Sequence, residues 1–65
     1  MVKHKVLTEK EIRIMHLLQQ GFTNQDISNQ SGVSLNTIKY HLKQIYRKLE
    51  VQNRAEAVFK FKYES

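Results

Sequence analysis

Between Ser34 and Glu50 the chain sets an apolar residue every three or four positions, at Leu35, Ile38, Leu42, Ile45 and Leu49, with no Gly or Pro between them. That spacing follows the turn of an α-helix and not a strand, whose side chains alternate with period two. On a wheel of about 100° per residue, Ile38, Leu42, Ile45 and Leu49 fall within about 60° of one another. A stripe that narrow must be buried against other elements. A second sector, about 100° wide, holds Asn36, Lys39, Tyr40, Lys43 and Arg47. One helix therefore has two different faces, and the rest of the fold has to cover the first and leave the second open.

The remaining signals are also helical. The chain has no Pro and two Gly, Gly21 and Gly32. Thr8 with Glu11 reads as a capping box, the hydroxyl taking an orphan amide and the carboxylate reaching back. Ile12, Ile14, Met15, Leu17 and Leu18 follow with helical periodicity until Gly21, suited to the left-handed residue that ends a helix. Thr23 with Asp26 opens a second helix that points Ile27 inward and stops at Gly32. Ser34 caps the third helix, and Asn53 with Glu56 begins a fourth, which runs towards Tyr63. The expectation is an all-α fold, a four-helix bundle containing a helix-turn-helix, with helices at about 8–20, 24–31, 35–49 and 54–63. The helix-turn-helix is the short second helix, a turn holding Gly32 and Val33, and the longer third helix. Gly32 turns the chain without a Cβ clash and Val33 tucks into the angle. Phe22, just past Gly21, is expected in the core.

Length and composition narrow the function. Sixty-five residues make one domain, 1–65, with a compact core and little room for an enclosed substrate cavity. With no Cys, a disulfide framework and a thiolate metal site are both excluded. His4, His16 and His41 are too dispersed for metal spacing, so no metal or other cofactor is expected. No apolar run reaches membrane-spanning or signal-peptide length, which makes the cytoplasm the expected compartment. No nucleophile elbow, phosphate-binding Gly loop or close acid pair is present, so an enzyme, with its small-molecule substrate, is the least supported class.

Eleven Lys and Arg against six Asp and Glu give a formal net charge of +5, which suits a polyanionic partner. The segment Leu35–Leu49 contains Lys39, Lys43, Arg47 and Lys48 and no acid. A charged helix face is ordinarily only a solvated one. Solvated faces, however, mix signs so that i,i+4 pairs form, and this one does not. It also follows a turn of helix-turn-helix spacing, where a major-groove reader belongs.

Leu7-Thr8-Glu9-Lys10-Glu11, Gly21, Asn24-Gln25-Asp26-Ile27, Val33-Ser34, Thr37-Ile38-Lys39-Tyr40-His41-Leu42, Ile45-Tyr46-Arg47-Lys48-Leu49 and Asn53-Arg54-Ala55-Glu56-Ala57 resemble the LuxR/FixJ-type helix-turn-helix domain. That family supplies the DNA-binding part of bacterial transcription regulators, response regulators among them. The resemblance runs from about Leu7 to Phe61. It implies sequence-specific binding of double-stranded DNA as a dimer on paired half-sites, with Lys39, Tyr40 and Lys43 on base edges. It implies phosphate contacts from Thr37, Arg47 and Lys48, with Thr23 and Asn24 at the start of the second helix. Asn36, in the same sector of the wheel, joins the phosphate set. Ser28 stands where the family usually has Ala, and is expected to loosen the contact between the second and third helices. Glu50 stands where it usually has Gly, and is expected to reshape the exit from the third helix.

Three further expectations concern structure and assembly. Glu11 and Arg54 suit an ion pair clamping the first helix to the fourth, the alternative being that each only complements its own helix end. His41, between the buried and basic sectors, suits a phosphate contact or a partly buried packing role. On the fourth helix Ala57, Val58 and Phe61 form a core stripe, while Ala55, Phe59 and Tyr63 lie roughly opposite. The second strip suits a homodimer contact, unless it is incidental exposure near the chain end. Two other functions fit the sequence. A sigma-factor-like promoter-reading domain would bind core RNA polymerase, a candidate partner in any case. A protein-interaction module would use the basic face on an acidic protein.

Overall fold

The structure, a computed structural model, describes residues 7–63. It consists of four helices: α1 (Glu9–Gln19), α2 (Asn24–Ser31), α3 (Leu35–Leu49) and α4 (Arg54–Tyr63). The all-α expectation is met, and α2, α3 and α4 have the expected bounds.

The caps account for the boundaries. At α1 the Thr8 amide donates to Glu11 Oε1 at 2.9 Å and the Glu11 amide to Thr8 Oγ1 at 3.1 Å. At α2 the Thr23 and Asp26 pair repeats the motif, both bonds at 3.0 Å. Ser34 Oγ takes the Thr37 amide at 3.2 Å to open α3. At α4 Asn53 Oδ1 takes the Glu56 amide at 2.9 Å, whereas Glu56 Oε1 takes the Gln52 amide at 2.9 Å, one residue earlier than a closed box requires.

Two helices end in the same paired-bond motif. After α1, Gly21 sits at φ 89°. Its amide donates to the Leu18 carbonyl, and the Phe22 amide to the Leu17 carbonyl. After α3, Glu50 occupies the corresponding place at φ 60°. Its amide donates to the Arg47 carbonyl, and the Val51 amide to that of Tyr46. The exit of α3 is therefore not reshaped. Glu50 takes the left-handed turn that Gly would take, because the two closing bonds satisfy the carbonyls of the last turn.

The core joins all four helices: Ile14, Met15 and Leu18 of α1, Ile27 of α2, Ile38, Leu42, Ile45 and Leu49 of α3, Ala57 and Phe61 of α4, with Leu7 beside them. Val33 packs against it from the turn, as expected, while Phe22 is only half-buried at its edge. At Gly32, φ 73°, an added Cβ would meet nothing within 4 Å. Backbone conformation, not crowding, is what calls for Gly there. Ser28 does not loosen the helix-turn-helix but ties it, its Oγ donating to the Val33 carbonyl at 2.6 Å.

The expected Glu11–Arg54 clamp does not form. Glu11 pairs with Lys48, and Arg54 Nη2 instead donates to the Phe22 carbonyl. Both cations still fasten distant parts of the chain, Lys48 drawing the end of α3 to the start of α1, and Arg54 holding α4 to the α1–α2 turn. An Arg at a helix start meets the positive end of the dipole, and reaching back to a free carbonyl relieves that conflict.

Candidate nucleic-acid interface

The candidate site is the outer face of α3. Burying Ile38, Leu42, Ile45 and Leu49 leaves Asn36, Thr37, Lys39, Tyr40, Lys43 and Arg47 all exposed. Tyr40, with 59% of its surface open, is a large apolar ring held in water. Lys39 to Arg47 spans about 12 Å along the helix axis, comparable to the width of the major groove. Lys39, Lys43 and Arg47 have no ion-pair partner among the described residues. They offer donors only, to whatever acceptors lie opposite.

The helix starts around this face are poised to donate. Thr37 Oγ1 accepts the Ser34 hydroxyl at 2.9 Å, so its own proton is not used in that bond. Thr23 uses its hydroxyl oxygen on the Asp26 amide and likewise keeps its proton. Thr23 is exposed and Asn24 half-buried. Both stand where the first turn of α2 presents free amides.

Lys48 stands apart from the other cations. Its Nζ lies 2.8 Å from Glu11 Oε1 and 3.1 Å from Oε2, so the ammonium is directed at α1. The wheel carries the signal, since Lys48 falls about 100° from Arg47, on the other flank of the buried stripe. Burial pushes the Glu11 carboxyl up, but the Lys48 ammonium and the Thr8 amide and hydroxyl outweigh it and hold its pKa below the ordinary value. Nearby, burial pushes the Tyr46 phenol up, partly offset by the Arg54 guanidinium.

His41 is half-buried and meets Tyr40 edge-on, with ring centroids 5.9 Å apart. His16 is exposed and packs edge-on against Phe61 at 5.3 Å, and His4 lies outside the described residues. No group of three or more His, Asp or Glu able to hold a metal ion occurs among the described residues. Among the described residues no helix is long and apolar enough to cross a membrane.

On α4, Phe59 and Tyr63 are each 65% exposed and meet at a tilt of 45° with ring centroids 4.7 Å apart, with Ala55 exposed beside them. This strip faces away from Ala57 and Phe61 and leaves α3 clear.

Residues 5–61 match the family model described as bacterial regulatory proteins, luxR family. The chain belongs to that family. Its helix-turn-helix is the luxR type, and membership carries DNA binding in the service of transcription regulation. Similar curated proteins include the response regulator protein VraR of Staphylococcus aureus and that of Staphylococcus epidermidis. Each is 42% identical over 55 residues, covering 85% of this chain and 26% of the relative. The chain thus spans about a quarter of the length of the curated relatives it matches. Among solved structures, the ComA DNA-binding domain in a crystal with the anti-activator RapF superposes with TM-score 0.85 at 41% identity, covering 86% of this chain and 97% of that one.

Proposed function

We propose that this luxR-family domain binds double-stranded DNA sequence-specifically in the cytoplasm of a bacterium, with α3 in the major groove. The single observation that carries the reading is the acid-free outer face of α3, where Lys39, Tyr40, Lys43 and Arg47 all point to solvent. Lys39 and Lys43 donate to base acceptors, and the Tyr40 ring meets a base edge. Thr23, Asn24, Asn36, Thr37 and Arg47 hold phosphates and fix the register. Lys48 contributes to the phosphate set only after partly releasing Glu11. Its main task is to hold α3 in place.

Two copies bind paired half-sites, joined through Ala55, Phe59 and Tyr63 of α4. A two-fold pair of this kind sets two α3 helices in successive major grooves, about 10 bp apart. The strip is small, so the free domain dimerises weakly, and DNA supplies the missing energy by raising the effective concentration. Selection from a random duplex pool tests the reading directly. A recurring half-site in two copies at fixed separation is the expected result, and a pool that stays random after repeated rounds contradicts it.

The similar ComA domain was crystallised with an anti-activator protein, which favours one other reading, a protein partner; the charge of the α3 face would suit an acidic one. Competition separates the two, because a DNA-reading face gives up such a protein to its selected duplex.

A further inference from the structure

Beside the reading face, α1 and the helix-turn-helix enclose an open groove of about 480 Å³. Lys10, Arg13, Ile14 and Leu17 line it from α1, Val33 from the turn and His41 from α3. Lys10, Arg13, Ile14 and Leu17 are spaced i, i+3, i+4 and i+7, a stripe about 10 Å long, and His16 lines the groove beside them. Leu17 and Val33 remain half-exposed in it, so its floor is apolar and partly wet. No lining residue is acidic. Lys10 and Arg13 are exposed and have no ion-pair partner among the described residues.

We infer that this groove is a docking site for an acidic, amphipathic protein segment, one that sets apolar side chains on Leu17 and Val33 and carboxylates on Lys10 and Arg13. An apolar floor under a rim of one sign calls for a partner with that pairing. The groove opens along two turns of α1 and does not close over a compact ligand, which suits a helical segment lying beside it. None of Asn36, Lys39, Tyr40, Lys43, Arg47, Ala55, Phe59 or Tyr63 lines it, so the partner binds without displacing DNA or the second copy. His41 at the lip touches Tyr40, giving the docked segment one route to the reading face.

The test is an amide-shift titration of the free domain, which does not depend on DNA binding. The probe is a 14-residue helical peptide of Glu and Leu with its Leu residues on one stripe. A Lys and Leu peptide of the same pattern and octanoate are the comparisons. Saturable shifts at Lys10, Arg13, Leu17, Val33 and His41 with the Glu peptide alone are expected. Arg13→Glu, on an exposed position, should weaken that binding about tenfold, while Lys39→Glu should leave it unchanged. Shifts confined to Lys39, Lys43 and Arg47 overturn the inference, as does an Arg13→Glu domain that binds normally. Octanoate reproducing the groove shifts where the peptide fails points to a small anionic amphiphile and overturns it too.

Discussion

The Lys48 ammonium lies between both carboxylate oxygens of Glu11, 2.8 and 3.1 Å away, across 37 positions of sequence. Glu11 is nearly fully buried and also closes the α1 capping box. One carboxylate thus sets the start of α1 and the end of α3 together. Because α3 carries the exposed cations, this contact fixes the angle at which they are presented.

Glu11→Gln should destabilise the domain by about 1–2 kcal/mol at pH 7, since a charged hydrogen-bond acceptor becomes neutral. The Glu11 pKa is lowered on folding, so its contribution is present above the ordinary value of 4.5 and is lost as pH falls below it. Urea melts of wild type and variant should therefore differ at pH 7, and the difference should shrink as the pH is lowered. A difference between the two proteins that stays the same at every pH would show that the ionised carboxylate contributes nothing.

Glu50→Gly should stabilise by about 0.5–1 kcal/mol. The left-handed turn costs an L-residue roughly 1–2 kcal/mol, and part of the gain returns as extra entropy of the unfolded Gly. A thermal melt reads the difference. A lower midpoint for the Gly variant would mean that the Glu50 side chain contributes more than its backbone costs.

Ile38→Ala should cost about 2–5 kcal/mol. Ile38 is 1% exposed and sits where α3 meets α2. A domain this small is stable by only about 5 kcal/mol, so the change approaches complete unfolding. Helicity that survives together with lost DNA binding would mean the two faces of α3 have been interchanged.

The periodic parts of this fold are legible in the sequence because they are local. The Thr8/Glu11 and Thr23/Asp26 boxes, the Gly21 turn and the split of α3 into buried and basic faces each depend on residues a few positions apart. Long-range pairing is different. Glu11 and Arg54 both looked suited to a clamp, yet which cation reaches Glu11 is decided by how α3 and α4 cross α1, and no local pattern encodes that. Lys48 could have been singled out, since its wheel angle separates it from Arg47. The Ser28 bond to Val33 depends on the depth of a turn that periodicity does not measure. The α1 groove arises only once α1 lies beside the helix-turn-helix.

Phe59→Glu should abolish cooperative filling of two half-sites while leaving half-site binding intact. Phe59 is 65% exposed, so the fold tolerates the charge, but in a two-fold contact each Glu faces its symmetry mate. Gel shifts on one-site and two-site duplexes separate the effects. Joint filling by the variant would move the dimer contact off α4.

The most direct measurement of the central claim compares Lys39→Ala and Lys43→Ala on a selected duplex and on a scrambled one of equal length. Both side chains are exposed and away from the Ile38, Leu42 and Ile45 stripe, so far-ultraviolet circular dichroism should be unchanged. Base contacts predict a loss of about 1–3 kcal/mol on the selected duplex and much less on the scrambled one. Equal weakening on both would reduce these lysines to phosphate contacts, and undiminished affinity on both would remove α3 from the groove.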